Sequence, residues 1–319
     1  MRKKRKGFTL VELLVVIAII ALLMGILMPA LARVRAIAFR VVCGTNLSGI
    51  GKAMLLYAND YDDELPQAGF PGSTWAMTLA NGWRIGDRRQ AFAAPSGTGG
   101  RATISSSLYL VVKFMEVGPK QFVCKGTETT EFKIPPGFTN SAGEPLDLLD
   151  CWDFGPEPIK YCSYSYHAAY NSPFALSVAS SQPGMALAAD RNPWLDATTE
   201  PGRRSLFIYN DQDPVRQKAG NANAHGGEGQ NVLFLDSHVD YEKRAYCGVQ
   251  DDNIYTSCAK GGVIQQGIAP SSPADVPIHK EDSLLVNEGE ASGGGGGTTG
   301  TTGTTGTTGT TGTTGWPPV

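Results

Sequence analysis

One carboxylate, Glu12, stands at the start of a long apolar segment. The residues from 13 to 32 carry no charge, and about 20 such residues are what a helix needs to cross a bilayer. A carboxylate in such a segment is costly, so Glu12 needs a partner or a function. A free α-amine at Phe8 would lie about one helical turn away and could be that partner. The amine of a neighbouring chain could serve equally well.

The cysteines could form disulfides or bind a metal. There are six of them, and no spacing is CxxC, whereas zinc sites usually show close pairs of ligands. We therefore expect disulfides formed in an oxidising compartment, although six cysteines allow fifteen connectivities. The residues are Cys43, Cys124, Cys151, Cys162, Cys247 and Cys258.

Three pairings are predicted. Two would close local loops of ten intervening residues. A third, Cys43 with Cys124, would tie the helix after the membrane segment to a strand that ends at Cys124. The alternative for Cys43 is a free thiol that packs as a small apolar residue. The local pairs are Cys151 with Cys162 and Cys247 with Cys258.

His225, Asp236 and His238 have side chains that could bind a metal or take part in catalysis. However, Asp236 falls where a hairpin turn is expected, and Asp favours turns without any metal. His225 lies among the Ala, Gly and Asn residues of a loop. We therefore predict a structural role for these residues.

An acidic cluster near residue 60 could bind calcium through carboxylate oxygens. Its members are Asp60, Asp62 and Asp63. Their spacing is not that of an EF-hand loop, and Pro66 blocks continuation of the helix, so a solvated loop at a helix end is the simpler prediction. The chain also lacks a Gly-x-Ser-x-Gly elbow, a phosphate-binding loop and a His-Glu-x-x-His pattern. These absences favour a protein that is not an enzyme and needs no cofactor.

One long helix must carry the N-terminal residues. Residues 2–6 are all basic and should stay in the cytoplasm, so the rest of the chain faces outward. We predict a helix over residues 8–60, about 75 Å long, whose membrane-spanning half covers about residues 8–32. Pro29 removes a backbone hydrogen bond and can kink it. The other half is amphipathic and should pack under a head. Its apolar face comprises Leu31, Val34, Ala38, Val41, Leu47, Ile50, Met54 and Tyr57.

The segment from Lys6 to Glu12 reads Lys-Gly-Phe-Thr-Leu-Val-Glu. It resembles the cleavage and methylation site of type IV pilins and type II secretion pseudopilins. In that family a membrane peptidase cuts after the glycine and methylates the new N-terminal phenylalanine, and the glutamate guides subunits into a filament. The resemblance implies these roles for Gly7, Phe8 and Glu12, and Pro29 matches the family's helix-interrupting proline.

The same resemblance implies partners and a location. The partners would be a prepilin peptidase, other pilin or pseudopilin subunits and an inner-membrane assembly platform. The chain would cross the inner membrane once, with its N-terminus in the cytoplasm and its head in the periplasm or at the cell surface. An ordinary signal peptide cut after Ala32, within an Ala-Leu-Ala site, is an alternative, as is a plain anchor. Neither alternative accounts for Glu12.

Short apolar runs between Gly, Pro, Ser and Asn predict a head of mixed structure over residues 61–268. Residues 107–112 could be helical, and residues 121–124, 161–166 and 185–190 read as strands. Residues 231–235 and 238–241 read as a hairpin whose turn, Asp236-Ser237, lacks the usual glycine. The predicted fold is therefore α+β, with the long helix packed on a mainly antiparallel sheet.

The head also resembles a family of bacterial pilin-like proteins that carry a histidine, nine residues and then an Asp-Gly hairpin. The shared features are Cys43 before Asn46-Leu47, Tyr57, a Phe-Val-Cys segment and the Ala-Asp-Arg-Asn-Pro run that begins at Ala189. Here ten residues separate His225 from Asp236, and Ser237 replaces the glycine. The resemblance covers residues 1 to about 241.

The last segment, residues 269–319, is predicted to be a linker and a low-complexity tail. Six Thr-Thr-Gly repeats end at Gly315. Glycine at every third position is typical of collagen, but the repeat has no proline, so a flexible, disordered tail is the simpler interpretation.

Charge and motifs together favour a filament subunit. The net charge is −3, and it falls further without the basic leader, which argues against nucleic-acid binding. Two other functions stay open. One is a membrane-anchored module whose head binds a ligand, and the other is an anchored hydrolase.

Overall fold

The computed structural model describes residues 9–167, 174, 176–196, 203–207, 213–257, 267–270, 272 and 274–289. Gly7, Phe8, Cys258 and the Thr-Thr-Gly repeats lie outside these residues. The first element is helix α1 (Leu10–Asp60), which has 51 residues and contains Pro29 without ending there. At about 1.5 Å per residue, α1 is roughly 75 Å long.

The two halves of α1 have different surroundings. Every residue from Thr9 to Arg35 is exposed, whereas the buried residues of α1 begin at Cys43. The predicted apolar face is therefore correct for its second part only. The buried members are Leu47, Ile50, Met54 and Tyr57, and the exposed ones are Leu31, Val34, Ala38 and Val41. Among the described residues, the head buries α1 side chains from Cys43 onward.

The head combines short helices with a five-stranded antiparallel sheet. Its α-helices are α2 (Arg88–Ala91), α3 (Ile104–Met115), α4 (Arg203–Leu206) and α5 (Pro214–Lys218). Its strands are β1 (Thr74–Trp75), β2 (Arg101–Ala102), β3 (Tyr164–His167), β4 (Ala186–Asp190), β5 (Gln230–Phe234), β6 (Val239–Glu242) and β7 (Leu285–Val286). The sheet order is β6-β5-β4-β3-β7, and β1 and β2 form a separate parallel pair. Helix α1 packs against β5, β6 and α3, so the α+β prediction is confirmed.

Two segments differ from the sequence prediction. The run before Cys124 is not a strand, because residues Pro119–Phe122 form a 3-10 helix that proline at its first position favours. Strand β7 lies beyond residue 268, inside the segment predicted as a linker. It pairs with β3, and Leu284, Leu285 and Val286 are fully buried, so the head includes this part of the chain.

Helix α1 lies close to the sheet at Gly51. A Cβ atom at this position would lie 2.5 Å from Cδ1 and 3.1 Å from Cδ2 of Leu233, which is a fully buried residue of β5. The missing side chain therefore lets the helix backbone contact the core of the sheet. Gly49 is different, because an added Cβ there would meet only the amide end of the partly exposed Gln121.

We predict that Gly51→Ala destabilises the protein, whereas Gly49→Ala does not. Overpacking of a core costs about 1–3 kcal/mol, and alanine regains up to about 1 kcal/mol of helix propensity. The midpoint of thermal unfolding of the detergent-solubilised chain should therefore fall by a few degrees for Gly51→Ala. It should stay level or rise for Gly49→Ala. Equal midpoints for the two variants would contradict the close approach of α1 and β5.

Two buried carboxylates, Glu288 and Asp153, accept hydrogen bonds from the start of α3. The backbone N–H of Ser105 donates to both carboxylate oxygens of Glu288, at 3.1 and 3.3 Å. The hydroxyl groups of Thr103 and Ser105 donate to Asp153. Burial, with a further contribution from the charge of Asp153, raises the pKa of Glu288 to about 8. Burial also raises the pKa of Asp153 to about 7.

These raised pKa values predict that stability falls as the pH rises. A carboxyl group whose pKa is higher in the folded state binds its proton more tightly there, so the unfolding free energy decreases between its unfolded and folded pKa values. The unfolding midpoint should therefore fall between about pH 5 and about pH 9. Glu288→Gln should make this decrease shallower, whereas Glu144→Gln, at an exposed position, should not. Identical pH profiles for wild type and Glu288→Gln would show that Glu288 is not protonated in the fold.

Candidate functional site

The first candidate site is the start of α1. Thr9 caps the helix: its hydroxyl accepts a hydrogen bond from the backbone N–H of Glu12 at 3.3 Å. The Glu12 carboxylate accepts hydrogen bonds from the Thr9 N–H at 2.9 Å and from the Thr9 hydroxyl at 2.7 Å. This reciprocal arrangement is a capping box. The predicted partner of Glu12 is an amine, whereas the structure pairs it with Thr9. The Thr-x-x-Glu spacing is the usual sequence signal for such a box.

The N-terminal half of α1 is an apolar surface with nothing packed on it among the described residues. By length and composition α1 can cross a membrane, and none of its most apolar 18-residue stretch is buried in the protein. The apolar surface continues past the uncharged segment. Val34, Ile37 and Val41 remain 57–63% exposed, and their spacing of three and four places them on one face of the helix.

The second candidate site is buried where α1 meets the head. Four side chains from distant parts of the chain converge there, and we call Cys43, Cys124, Asp190 and His225 the junction cluster. Cys43 is on α1, and Cys124 follows the 3-10 helix Pro119–Phe122. Asp190 ends β4, and His225 lies in the 3-10 segment Ala224–Gly227. The side chains of His225 and Asp190 are only 1% and 0% exposed.

The ligand atoms of three members are close together. The Sγ atoms of Cys43 and Cys124 and a ring nitrogen of His225 all lie within 4.8 Å of one another. Nε2 of His225 is 3.5 Å from Cys124 Sγ and 3.5 Å from Asp190 Oδ2. Among the described residues, this is the one group of at least three Cys, His, Asp or Glu side chains that could hold a metal ion.

Backbone geometry fixes these side chains. His225 has a φ of 59°, in the left-handed region that is unfavourable for a residue with a side chain. The loop beside it needs a glycine, because a Cβ at Gly126 would lie 3.0 Å from His225 Nδ1. The N–H of Gly126 donates to Cys124 Sγ at 3.4 Å, and the N–H of Asn231 donates to Asp190 Oδ2 at 2.8 Å. The other oxygen of Asp190, Oδ1, is buried without a hydrogen-bond partner.

The cluster is electrostatically coupled. The hydrogen bond from the Cys124 thiol lowers the pKa of Cys43, and the His225 ring lowers it further, although burial acts in the opposite direction. The same hydrogen bond, together with burial, raises the pKa of Cys124. Burial opposes a charge on His225, but the interactions with Cys43 and Asp190 outweigh burial and raise its pKa.

The structure contains none of the predicted disulfides that its described residues could form. Cys43 and Cys124 are neighbours, as expected, but both are thiols. Cys151 and Cys162 are also thiols, and each contacts a backbone carbonyl rather than the other sulfur. The Cys151 thiol donates to the carbonyl of Asp147 and the Cys162 thiol donates to the carbonyl of Tyr164. Cys247 is a thiol as well, and its predicted bond to Cys258 lies partly outside the described residues.

His225, Asp236 and His238 do not form a common site. Asp236 and His238 contact each other across the β5–β6 turn, where the His238 N–H donates to Asp236 Oδ1 at 3.1 Å and the His238 ring also contacts Oδ1. Both side chains are nearly half exposed. Ser237, at the glycine position of the turn, has a φ of 72°. These contacts belong to the turn, as the sequence predicts for Asp236, whereas His225 belongs to the junction cluster.

The acidic residues after α1 also serve the end of the helix. Asp60 is the last residue of α1, and the N–H of Asp63 donates to the carbonyl of Ala58 at 2.9 Å. Asp62 and Asp63 have positive φ angles of 52° and 62°. They form a turn that ends the helix, and calcium binding by Asp60, Asp62 and Asp63 stays untested.

The junction cluster does not have the geometry of a catalytic triad. In a triad the histidine uses one ring nitrogen towards the nucleophile and the other towards the carboxylate. Here Nε2 faces both Cys124 Sγ and Asp190 Oδ2. The cluster is also buried. These features favour a structural or ligand-binding role over nucleophilic catalysis.

Comparison with known proteins identifies the N-terminal segment. Residues 2–28 match the family described as the prokaryotic N-terminal methylation motif. Together with the long apolar helix, this match is consistent with a type IV pilin-like protein and supports a precursor of the pilin or pseudopilin type. No curated protein and no solved structure matches the chain significantly. The identification therefore rests on the leader and the first half of α1.

Proposed function

We propose that this protein is a structural subunit of a type IV pilus-like or type II secretion pseudopilus filament. A prepilin peptidase would cut after Gly7 and methylate Phe8, and an inner-membrane platform would add the subunit to the filament. Before assembly, α1 would hold the chain in the inner membrane with the head outside the cytoplasm. The role is structural rather than enzymatic.

The observation that carries this proposal is the division of α1. The matched motif runs into a helix whose residues from Thr9 to Arg35 are wholly exposed, while the same helix is built into the head from Cys43 onward. Exposed apolar surface of this extent marks a membrane-facing or protein-facing region. In the membrane, lipid covers it. In a filament, the corresponding helices of neighbouring subunits would cover it.

The apolar face beyond the membrane segment supports assembly over simple anchoring. Val34, Ile37 and Val41 lie between the uncharged segment and the head and are exposed. A plain anchor has no use for an apolar face outside the bilayer. A neighbouring helix would bury it, and burial of apolar area contributes about 25 cal/mol per Å².

We predict processing between Gly7 and Phe8. Intact mass spectrometry of the chain, co-expressed with a prepilin peptidase, should show a mature protein that begins with N-methylated Phe8. Gly7→Val should leave the protein at its precursor mass in the membrane fraction, because the peptidase requires a small residue at the cut. An intact leader on the wild-type chain would instead support a plain anchor, and a cut after Ala32 would indicate a secreted protein.

We also predict that Glu12→Ala permits processing but prevents assembly. The change removes the carboxylate that would pair with the N-terminal amine of a neighbouring subunit, while membrane insertion becomes easier. The measurement is the amount of mature protein in a sheared filament fraction from cells that carry the assembly machinery.

Thr9→Ala is the matched control for this prediction. It removes the hydroxyl of the capping box but keeps the carboxylate of Glu12, so it should be processed and assembled. Loss of filaments in both variants would indicate that helix capping, rather than the charge, matters. Filaments of Glu12→Ala at the wild-type level would contradict the assembly role of Glu12.

A further inference from the structure

We propose that Cys43, Cys124 and His225 bind a zinc ion that fastens α1 to the head. The site is independent of the residues that support filament assembly. Its ligands come from a helix, a loop after a 3-10 helix and a second loop, so the ion would join three separate parts of the fold. Thiolate sulfur and imidazole nitrogen are the ligands that zinc prefers in structural sites.

The distances between the three ligand atoms are close to those of a tetrahedral zinc site. With Zn–S bonds of about 2.3 Å and Zn–N bonds of about 2.0–2.1 Å, tetrahedral coordination places sulfur and nitrogen about 3.6 Å apart. Cys124 Sγ and His225 Nε2 are 3.5 Å apart. Two sulfurs on zinc lie about 3.8 Å apart, and no ligand pair in this group exceeds 4.8 Å. Side-chain adjustments of about 1 Å or less would complete the geometry.

Asp190 lies beside His225, one of the three proposed ligands. Its Oδ2 lies 3.5 Å from Nε2 of His225, which is too long for a good hydrogen bond. Its Oδ1 is buried and has no hydrogen-bond partner. A buried carboxylate oxygen without a partner is costly, and a zinc ion, or a water bound to zinc, would satisfy it.

The surroundings prepare the ligands. The Gly126 N–H donates a hydrogen bond to Cys124 Sγ at 3.4 Å. Such outer hydrogen bonds orient metal ligands and stabilise thiolates. The left-handed backbone of His225 turns its ring towards the sulfurs, and strain of this kind persists where the surroundings impose it.

The charge balance is simple. Zinc binds two thiolates and a neutral imidazole, so binding releases to solvent the thiol protons of Cys43 and Cys124 and any proton on Nε2 of His225. The two thiolates neutralise the ion. A disulfide between Cys43 and Cys124 is the competing outcome, but it would leave Asp190 Oδ1 buried without a hydrogen-bond partner.

The test is zinc binding by the full chain, purified in detergent under reducing conditions and freed of metal. We expect one zinc per chain by elemental mass spectrometry and a dissociation constant below about 1 µM in competition with a chromogenic chelator. Cobalt(II) in place of zinc should give thiolate-to-metal charge-transfer bands and the ligand-field spectrum of a tetrahedral site.

Variants assign the ligands. Cys43→Ser, Cys124→Ser and His225→Gln should each weaken zinc binding at least 100-fold, and Asp190→Asn about 10-fold or more. Cys162→Ser is the matched control, because it removes another buried thiol and should leave one tight zinc. Circular dichroism spectra establish that each variant is folded.

Three results would overturn the proposal. The first is zinc bound as tightly by the ligand variants as by the wild type. The second is a site that holds no zinc, whether it is empty or occupied by copper alone. The third is a disulfide between Cys43 and Cys124. The disulfide would appear as a Cys43–Cys124 peptide after alkylation of protein taken directly from cells. Any of these would show that the cluster is not a zinc site.

Discussion

Helix α1 must be covered by two different environments, and the rest of the structure depends on where one replaces the other. From Thr9 to Arg35 every residue of the helix is exposed. From Cys43 its buried face packs against β5, β6 and α3. Gly51 disfavours helix formation by about 1 kcal/mol relative to alanine. The missing side chain, however, allows the helix to pack closely against Leu233. The head is therefore fixed to a rod that projects far beyond it.

The sequence predicts this division well where spacing alone decides it. The three-and-four spacing of Leu47, Ile50 and Met54 predicts the buried face, and the two short runs on either side of Asp236-Ser237 predict the hairpin. The same spacing extends the buried face too far, to Val34 and Val41, because periodicity shows that a face is apolar but not what covers it. The Phe-Val-Cys run was predicted as a strand from its side chains, although Pro119 at the start of a 3-10 helix was the stronger local signal.

The junction cluster is harder to predict, for a physical reason. Its members are far apart in sequence, and no close pair of ligands marks them. The pairing of Cys43 with Cys124 was proposed as a disulfide, and the two thiols do lie together. The addition of His225 and Asp190 depends on how the 3-10 segment Ala224–Gly227 packs beside the end of β4, which local propensity does not specify. In contrast, the bond of Glu12 to Thr9 was readable from the Thr-x-x-Glu spacing.

Strand β7 gives the head an unequal response to mechanical load. Tension on the chain beyond residue 289 enters the fold at Glu288 and Asn287. Their side chains accept hydrogen bonds from the backbone N–H groups of Ser105 and Asn192. The tension then reaches an edge strand that pairs with β3 over two residues, and such a strand separates one hydrogen bond at a time. Tension along α1 instead acts in shear on the whole face from Cys43 to Tyr57, where many contacts must break together. A pull through the tail would thus peel the edge of the sheet while the attachment of the head to α1 stays intact.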